Sequence, residues 1–192
     1  ISGLKEAQKQ AKIYKQVMAG DSSGIDSSQT KMVLDTAAVK KNLVSTRATI
    51  DRGEMQEAAT HFLADGGWSG NLKSFQEQLE LAAKLQKQKN DGIKLDPQSL
   101  KALKNVEELA SWSPVFQKYI GTMTEYYQEE EAYEKAKSTY DKKVAEEKSA
   151  EQKRLAEEWR DEVNEAVAKA KSKIAAVDAQ KQLAADAGRP WT

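Results

Sequence analysis

Apolar and polar positions recur with a helical period through most of this chain. Leu4, Ala7, Ala11, Tyr14 and Met18 step by three and four, which predicts a first helix with that face inward. Gly20-Asp21-Ser22-Ser23-Gly24 breaks the pattern, and a linker through Ser28 follows. A second helix is expected from Ser28 or Thr30, either of which could cap it. Its predicted buried stripe is Met32, Thr36, Val39, Leu43 and Ile50, then Met55, Ala59, Phe62 and Leu63, with a kink or short break at Gly53. Asp65-Gly66-Gly67-Trp68-Ser69-Gly70 is the strongest turn signal. A third helix follows with Leu72, Phe75, Leu79 and Ala82 on one face, ending by Asn90-Asp91-Gly92. Asp96-Pro97 reads as N-cap and first helical residue of a short fourth helix that buries Leu100, Leu103 and Val106. Ser113-Pro114 repeats that signal and opens the fifth.

The fifth helix carries the most informative pattern. Tyr119, Tyr126, Tyr133 and Tyr140 stand seven residues apart, and no glycine or proline occurs from residue 122 to 187. At about 1.5 Å per residue such a helix would extend roughly 100 Å. With the tyrosines at heptad position d, Phe116, Met123, Glu130, Lys137 and Val144 fall at a. That seam is apolar at first and polar later, and small residues of the first two helices are expected to receive the rings. Ala145 to Arg154 has no large apolar residue. The stripe resumes at Leu155, Trp159, Val163, Ala166, Ala170, Ile174 and Val177, an eleven-residue repeat taken twice. That period favours a straight or slightly right-handed path rather than a left-handed coil. The polar gap is read as a solvated section of one continuous helix, because it holds only helix-forming residues; a bend with a fold-back is the alternative. Gly188 and Pro190 close the helix, and Trp191-Thr192 is a tail.

These elements predict an all-α fold: a single elongated domain over 1-192, an antiparallel helical bundle or coiled-coil stalk with a small helical head. Residues 1-53 and 126-187 would form the stalk and 54-125 the head. The packing or interaction residues expected to matter are Tyr119, Tyr126, Tyr133, Tyr140, Trp68, Trp112 and Trp159. Trp68-Ser69-Gly70 between two helices resembles the W-x-G turn of small secreted helical hairpins, over those three residues alone. The chain is nearly twice as long and far more charged, so the reading kept for Trp68 is an anchor within a turn.

Charge removes several function classes. Among 192 residues, 30 lysines and arginines balance 30 aspartates and glutamates, interleaved so that no basic stripe forms. Nucleic acid is therefore not an expected partner. The absence of cysteine removes disulfides, thiolate metal sites and thiol chemistry. No apolar run approaches the ~18 residues of a membrane span. The chain opens on Ile1-Ser2-Gly3 rather than methionine, so a processed or trimmed product is expected, with an export signal ahead of it left open.

The single histidine, His61, has no second histidine or acid-rich loop to join in binding a metal, and is read as a surface or partly buried side chain. Runs such as Glu129-Glu130-Glu131 lie among lysines, and a solvated face with i,i+4 pairs such as Glu131 to Lys135 explains them. There is no phosphate loop, G-x-S-x-G, dinucleotide fingerprint or H-E-x-x-H. The expectation is a non-enzymatic structural or interaction protein with no cofactor and no metal. It would work through protein partners or self-association. It would be secreted, periplasmic or at the cell surface, for instance a tip or adaptor subunit of a secretion apparatus or pilus; a cytoplasmic location stays open. The alternatives are a surface receptor with its pocket in the head, or a virion assembly or scaffolding protein.

Overall fold

The computed structural model describes residues 2–188; Ile1, Arg189, Pro190 and the expected tail Trp191-Thr192 lie outside the described residues. The fold is all-helical, with no strand among the described residues: α1 (Ser2–Met18), α2 (Ser27–Ala64), α3 (Leu72–Asn90), α4 (Pro97–Ala110) and α5 (Pro114–Asp186). No helix among the described residues is long and apolar enough to cross a membrane. The chain divides into two units, residues 1–143 and 144–192.

Local chemistry sets the boundaries. Asp26, not Ser28 or Thr30, caps α2: its carboxylate accepts from the Gln29 amide at 2.8 Å, and the Gln29 side chain accepts from the Asp26 amide at 2.9 Å. The reciprocal pair satisfies two amides at once, which a lone hydroxyl at Ser28 could not do. Asn71 caps α3 through the Ser74 amide at 2.8 Å, and Asp96 caps α4 through the Ser99 amide at 2.7 Å with Pro97 behind it. Neither Gly53 nor Gly121 breaks its helix. The cost of one helical glycine, about 1 kcal/mol, is small against the burial on either side of it. The polar gap 145–154 is helical throughout.

In the first unit, α2 and α5 run antiparallel: Asp51 meets Thr122, Arg47 meets Glu125, and Lys41 and Lys31 lie over Tyr133 and Tyr140. α3 runs parallel to α5, with Glu80 at Tyr119, Lys84 at Tyr127 and Lys87 at Glu131. Two apolar clusters result. One joins α2, α3, α4 and the start of α5 around Met55, Phe62, Phe75, Leu79, Phe116 and Tyr119. The other joins α1, the start of α2 and Ala136 of α5, with Ile13, Val17, Ile25, Val33 and Leu34.

Three predicted faces need correction. On α1 the buried residues are Ile13 and Val17, while Leu4, Ala7 and Ala11 are exposed. On α2 the stripe Met32, Thr36, Val39, Leu43, Ile50 faces outward, and the core face is Val33, Leu34, Ala37, Val44, Ala48, Asp51 and Met55. On α4, Leu103 and Val106 are buried but Leu100 is exposed. The α3 face, by contrast, is placed as expected, with Phe75, Leu79 and Ala82 in the core and Leu72 half-buried.

In the second unit no described residue is buried. The expectation that its stripe pairs along a stalk therefore finds no buried side chain in this segment.

Candidate interaction surfaces

The tyrosine ladder is not one uniform seam. Tyr119 is fully buried, whereas Tyr126, Tyr133 and Tyr140 are half-buried. Of the predicted a positions, Phe116 and Met123 are buried, Glu130 is half-buried, and Lys137 and Val144 are exposed. Further along, the buried residues are Ala136 and Thr139 instead. A straight helix falls behind a seven-residue repeat by about 20° per heptad, so a face set by Tyr119 rotates away from its own repeat. The neighbours change as well. Near Tyr119 they are α2 and α3; near Thr139 they are α1 and α2, and the Thr139 hydroxyl donates to the Val17 carbonyl at 2.7 Å.

Small residues take part around the outer tyrosine rings, with larger ones beside them: Tyr133 and Tyr140 pack against a cluster that includes Ala37 and Ala136 as well as Ile13, Val17 and Val33. Lysines of α2 cover the outer rungs: Lys41 Nζ sits 4.7 Å from the Tyr133 ring centre and Lys31 Nζ 5.6 Å from that of Tyr140. The ammonium groups thus lie over the ring faces, where the ring quadrupole attracts them.

Around Tyr119 a polar group sits inside the bundle. Its hydroxyl donates to Glu80 Oε1 at 2.9 Å, and Arg52 Nη2 stands 3.6 Å from the same oxygen. Burial pushes the Tyr119 phenol up to about 12, and burial likewise raises Tyr127 to about 12. Nearby, the buried Asp51 accepts from the Thr122 hydroxyl and faces Lys118 Nζ at 3.1 Å as an ion pair. Lys118 also reaches Glu54 at 3.1 Å, and these contacts, Glu54 first, raise the ammonium above its ordinary value. These contacts tie α2, α3 and α5 together, which fits a structural role.

The tryptophans occupy three settings. Trp68 is half-buried in the α2–α3 turn, and its indole donates to Ser74 Oγ at 3.2 Å. Trp112 lies against Phe62 with ring centres 4.6 Å apart, yet is about half exposed. Phe62, Phe75 and Phe116 complete this aromatic cluster. The turn is shaped around it: a β-carbon at Gly67 would stand 2.1 Å from Phe62 Cε2. Trp159, in the second unit, is 68% exposed.

Trp159 belongs to an uncovered apolar face of the second unit. Leu155, Val163, Val167, Ile174 and Val177 are all exposed with it. Intrahelical ion pairs support this helix locally, among them Arg154 to Glu158 at 2.6 Å and Lys169 to Glu165 at 3.6 Å. Exposed pairs of that kind contribute little.

A groove of about 600 Å³ lies in the first unit between α3, α4 and α5, with Gln86, Asn90, Glu107, Gln117, Thr124 and Gln128 among its walls. His61 is exposed at the end of α2, and among the described residues no cluster of acids or histidines could hold a metal ion. The sequence pattern missed the groove, because its walls come from three helices and carry no periodic signal of their own. It missed Asp51 for a different reason: a carboxylate at a core position reads as solvent-facing.

No protein-family model, curated protein or solved structure matches this chain.

Proposed function

We propose that the chain is a non-enzymatic interaction protein, an adaptor whose first unit is a stable helical base and whose second unit is a docking helix. The observation that carries this reading is the solvent-exposed stripe from Leu155 to Val177, whose apolar side chains recur at an eleven-residue repeat over two repeats. Scattered exposed apolar residues need no explanation, but a continuous stripe on one face of a helix is the form in which helices recognise helices. An isolated helix gains little stability in water from intrahelical contacts alone, so covering the stripe would stabilise the whole segment.

The test is a photo-reactive residue at position 159 or 174 in the native cell, with position 164 on the opposite face as control. Covalent adducts of defined mass are expected from 159 and 174 and not from 164. The reading fails if 159 and 174 give no adduct under conditions where buried-face controls in the first unit report intact folding.

A second reading, a small-ligand receptor, has the groove in its favour. Its walls combine the amides of Gln86, Asn90, Gln117 and Gln128 with Ala110 and Ile120, and would suit a ligand with an apolar body and hydroxyl or carboxamide groups. That reading expects a saturable rise in melting temperature with one ligand class, lost on Gly121→Trp, which would fill the groove.

A further inference from the structure

The stripe of the second unit has edges with a definite charge order. On one edge Glu158 and Glu162 come first, and Lys169 and Lys173 follow. In an antiparallel pair of identical helices each edge faces its own copy running the other way. Glu162 then meets Lys169, and Glu158 meets Lys173, of the second copy. The same alignment fits the apolar face: Leu155 lies opposite Ile174, Trp159 opposite Ala170, and Val163 opposite Ala166. Each bulky residue meets a smaller or complementary one, and Trp159, 68% exposed in the single chain, gains a small residue to cover. On the other edge Arg160 and Lys171 come opposite Val167 and Ala156, so like charges are not opposed. A parallel, in-register pair does worse on both counts. It stacks Trp159 on Trp159 and leaves Glu158 and Glu162 opposite Val163 and Val167.

We propose that the partner of this docking face is a second copy of the chain, paired antiparallel through residues 155–177 with its centre between Asn164 and Glu165. The proposal rests on the stripe being a docking face and adds the identity and orientation of what covers it. The length suits it: 22 residues of sustained repeat are about three heptads, the least over which such a pattern specifies helix pairing. The eleven-residue period suits it too, since two nearly straight helices remain in contact without supercoiling to the left.

The charge order makes the test self-controlling. The full chain is expected to show a concentration-dependent mass in sedimentation equilibrium, passing from monomer to dimer. Glu158→Lys with Glu162→Lys makes the edge wholly basic, and Lys169→Glu with Lys173→Glu makes it wholly acidic. Each variant alone is expected to dissociate at least tenfold more readily than the native chain, and an equimolar mixture is expected to recover a heterodimer. All four residues are exposed, so neither variant disturbs the core.

Orientation is read separately, because the chain has no cysteine of its own. Leu155→Cys mixed with Ile174→Cys is expected to form a mixed disulfide dimer, while each alone does not cross-link. Self-cross-linking of each single variant would overturn the antiparallel pairing. So would edge variants that associate as well as the native chain. A chain that stays monomeric while position 159 captures a different protein in cells overturns self-pairing and leaves the docking face standing. Monomer with no capture ends both readings.

Discussion

Tyr119→Phe isolates one hydroxyl in the middle of the bundle, and its effect should reverse with pH. The ring is fully buried and the substitution keeps it, so packing is conserved. What disappears is the hydrogen bond to Glu80 Oε1 at 2.9 Å, a neutral donor to a charged acceptor. Glu80 retains Arg52 at 3.6 Å and the Gln76 amide at 3.2 Å, so the carboxylate is not left bare. The expected cost at pH 8 is about 2 kcal/mol. Alkali acts on the native residue differently. The unfolded chain releases the phenol proton near the ordinary value of 10, while the folded chain holds it to about 12. A group whose folded value is raised contributes stability that is complete below the unfolded value and is lost as pH rises through the folded one. Between pH 10 and 12 the native chain therefore loses about 1 to 2 kcal/mol per unit from Tyr119, about 3 kcal/mol in all. The phenylalanine variant loses none of it. Tyr119 itself helps to raise Tyr127, so the variant also loses less from Tyr127, a smaller difference of the same sign. Urea unfolding at pH 8, 10, 11 and 12, followed by far-ultraviolet circular dichroism, should show the variant less stable at first. The gap should close above pH 10 and change sign near the top of the window. A gap that stays constant from pH 8 to 12 would refute the argument, because it would mean that Tyr119 ionises alike in both states.

Other substitutions probe the remaining devices. Gly67→Ala should cost about 1–3 kcal/mol, because its β-carbon would overlap the Phe62 ring, whereas Gly53→Ala, with nothing within 4 Å, should stabilise by about 0.5–1 kcal/mol; thermal melts of the two distinguish them. Thr139→Val keeps shape and removes the hydroxyl's bond to the Val17 carbonyl, which still accepts from the Gly20 amide at 3.0 Å; it should cost about 1 kcal/mol and raise amide exchange in α1. Ser99, through its amide first and then its hydroxyl, holds the Asp96 carboxyl below its ordinary value. The stability this adds is present above pH 4 and lost as pH falls through the folded value. Asp96→Asn should keep the cap and remove that part of the acid dependence of helicity.

The helix ends were legible in the sequence because their causes are local. Pro97 and Pro114 each open a helix, Asn90-Asp91-Gly92 closes one, and a capping carboxylate or amide needs only its own next three residues. Asp26 escaped notice because Ser27, Ser28 and Thr30 are equally good caps when judged singly; what selects Asp26 is the reciprocal bond from Gln29. The faces were harder, for reasons that differ between helices. α2 is apolar on two sides at once, with Val33, Val44 and Met55 inward and Met32, Leu43 and Ile50 outward. Period alone cannot choose between two such stripes. The inward one is also disguised by Asp51, whose burial is possible only because Thr122 and Lys118, more than sixty residues away, supply its partners.

The tyrosines mislead through size. Four large rings at a perfect seven-residue spacing dominate the pattern of α5, yet a perfect heptad is what a straight helix cannot keep facing one neighbour. Ala136 and Thr139, which do face inward, are too small to register as core. The stripe of the second unit is the converse case. Its period was plain, and its large residues are Leu155, Trp159 and Ile174, but an apolar period reports only that a face is costly to leave in water. It does not report whether the cover comes from the same chain. The edge charges carry that further information. Glu158, Glu162, Lys169 and Lys173 lie to one side of the stripe in an order that is complementary to itself when reversed, and a face meant for a neighbour within the chain would have no need of that symmetry.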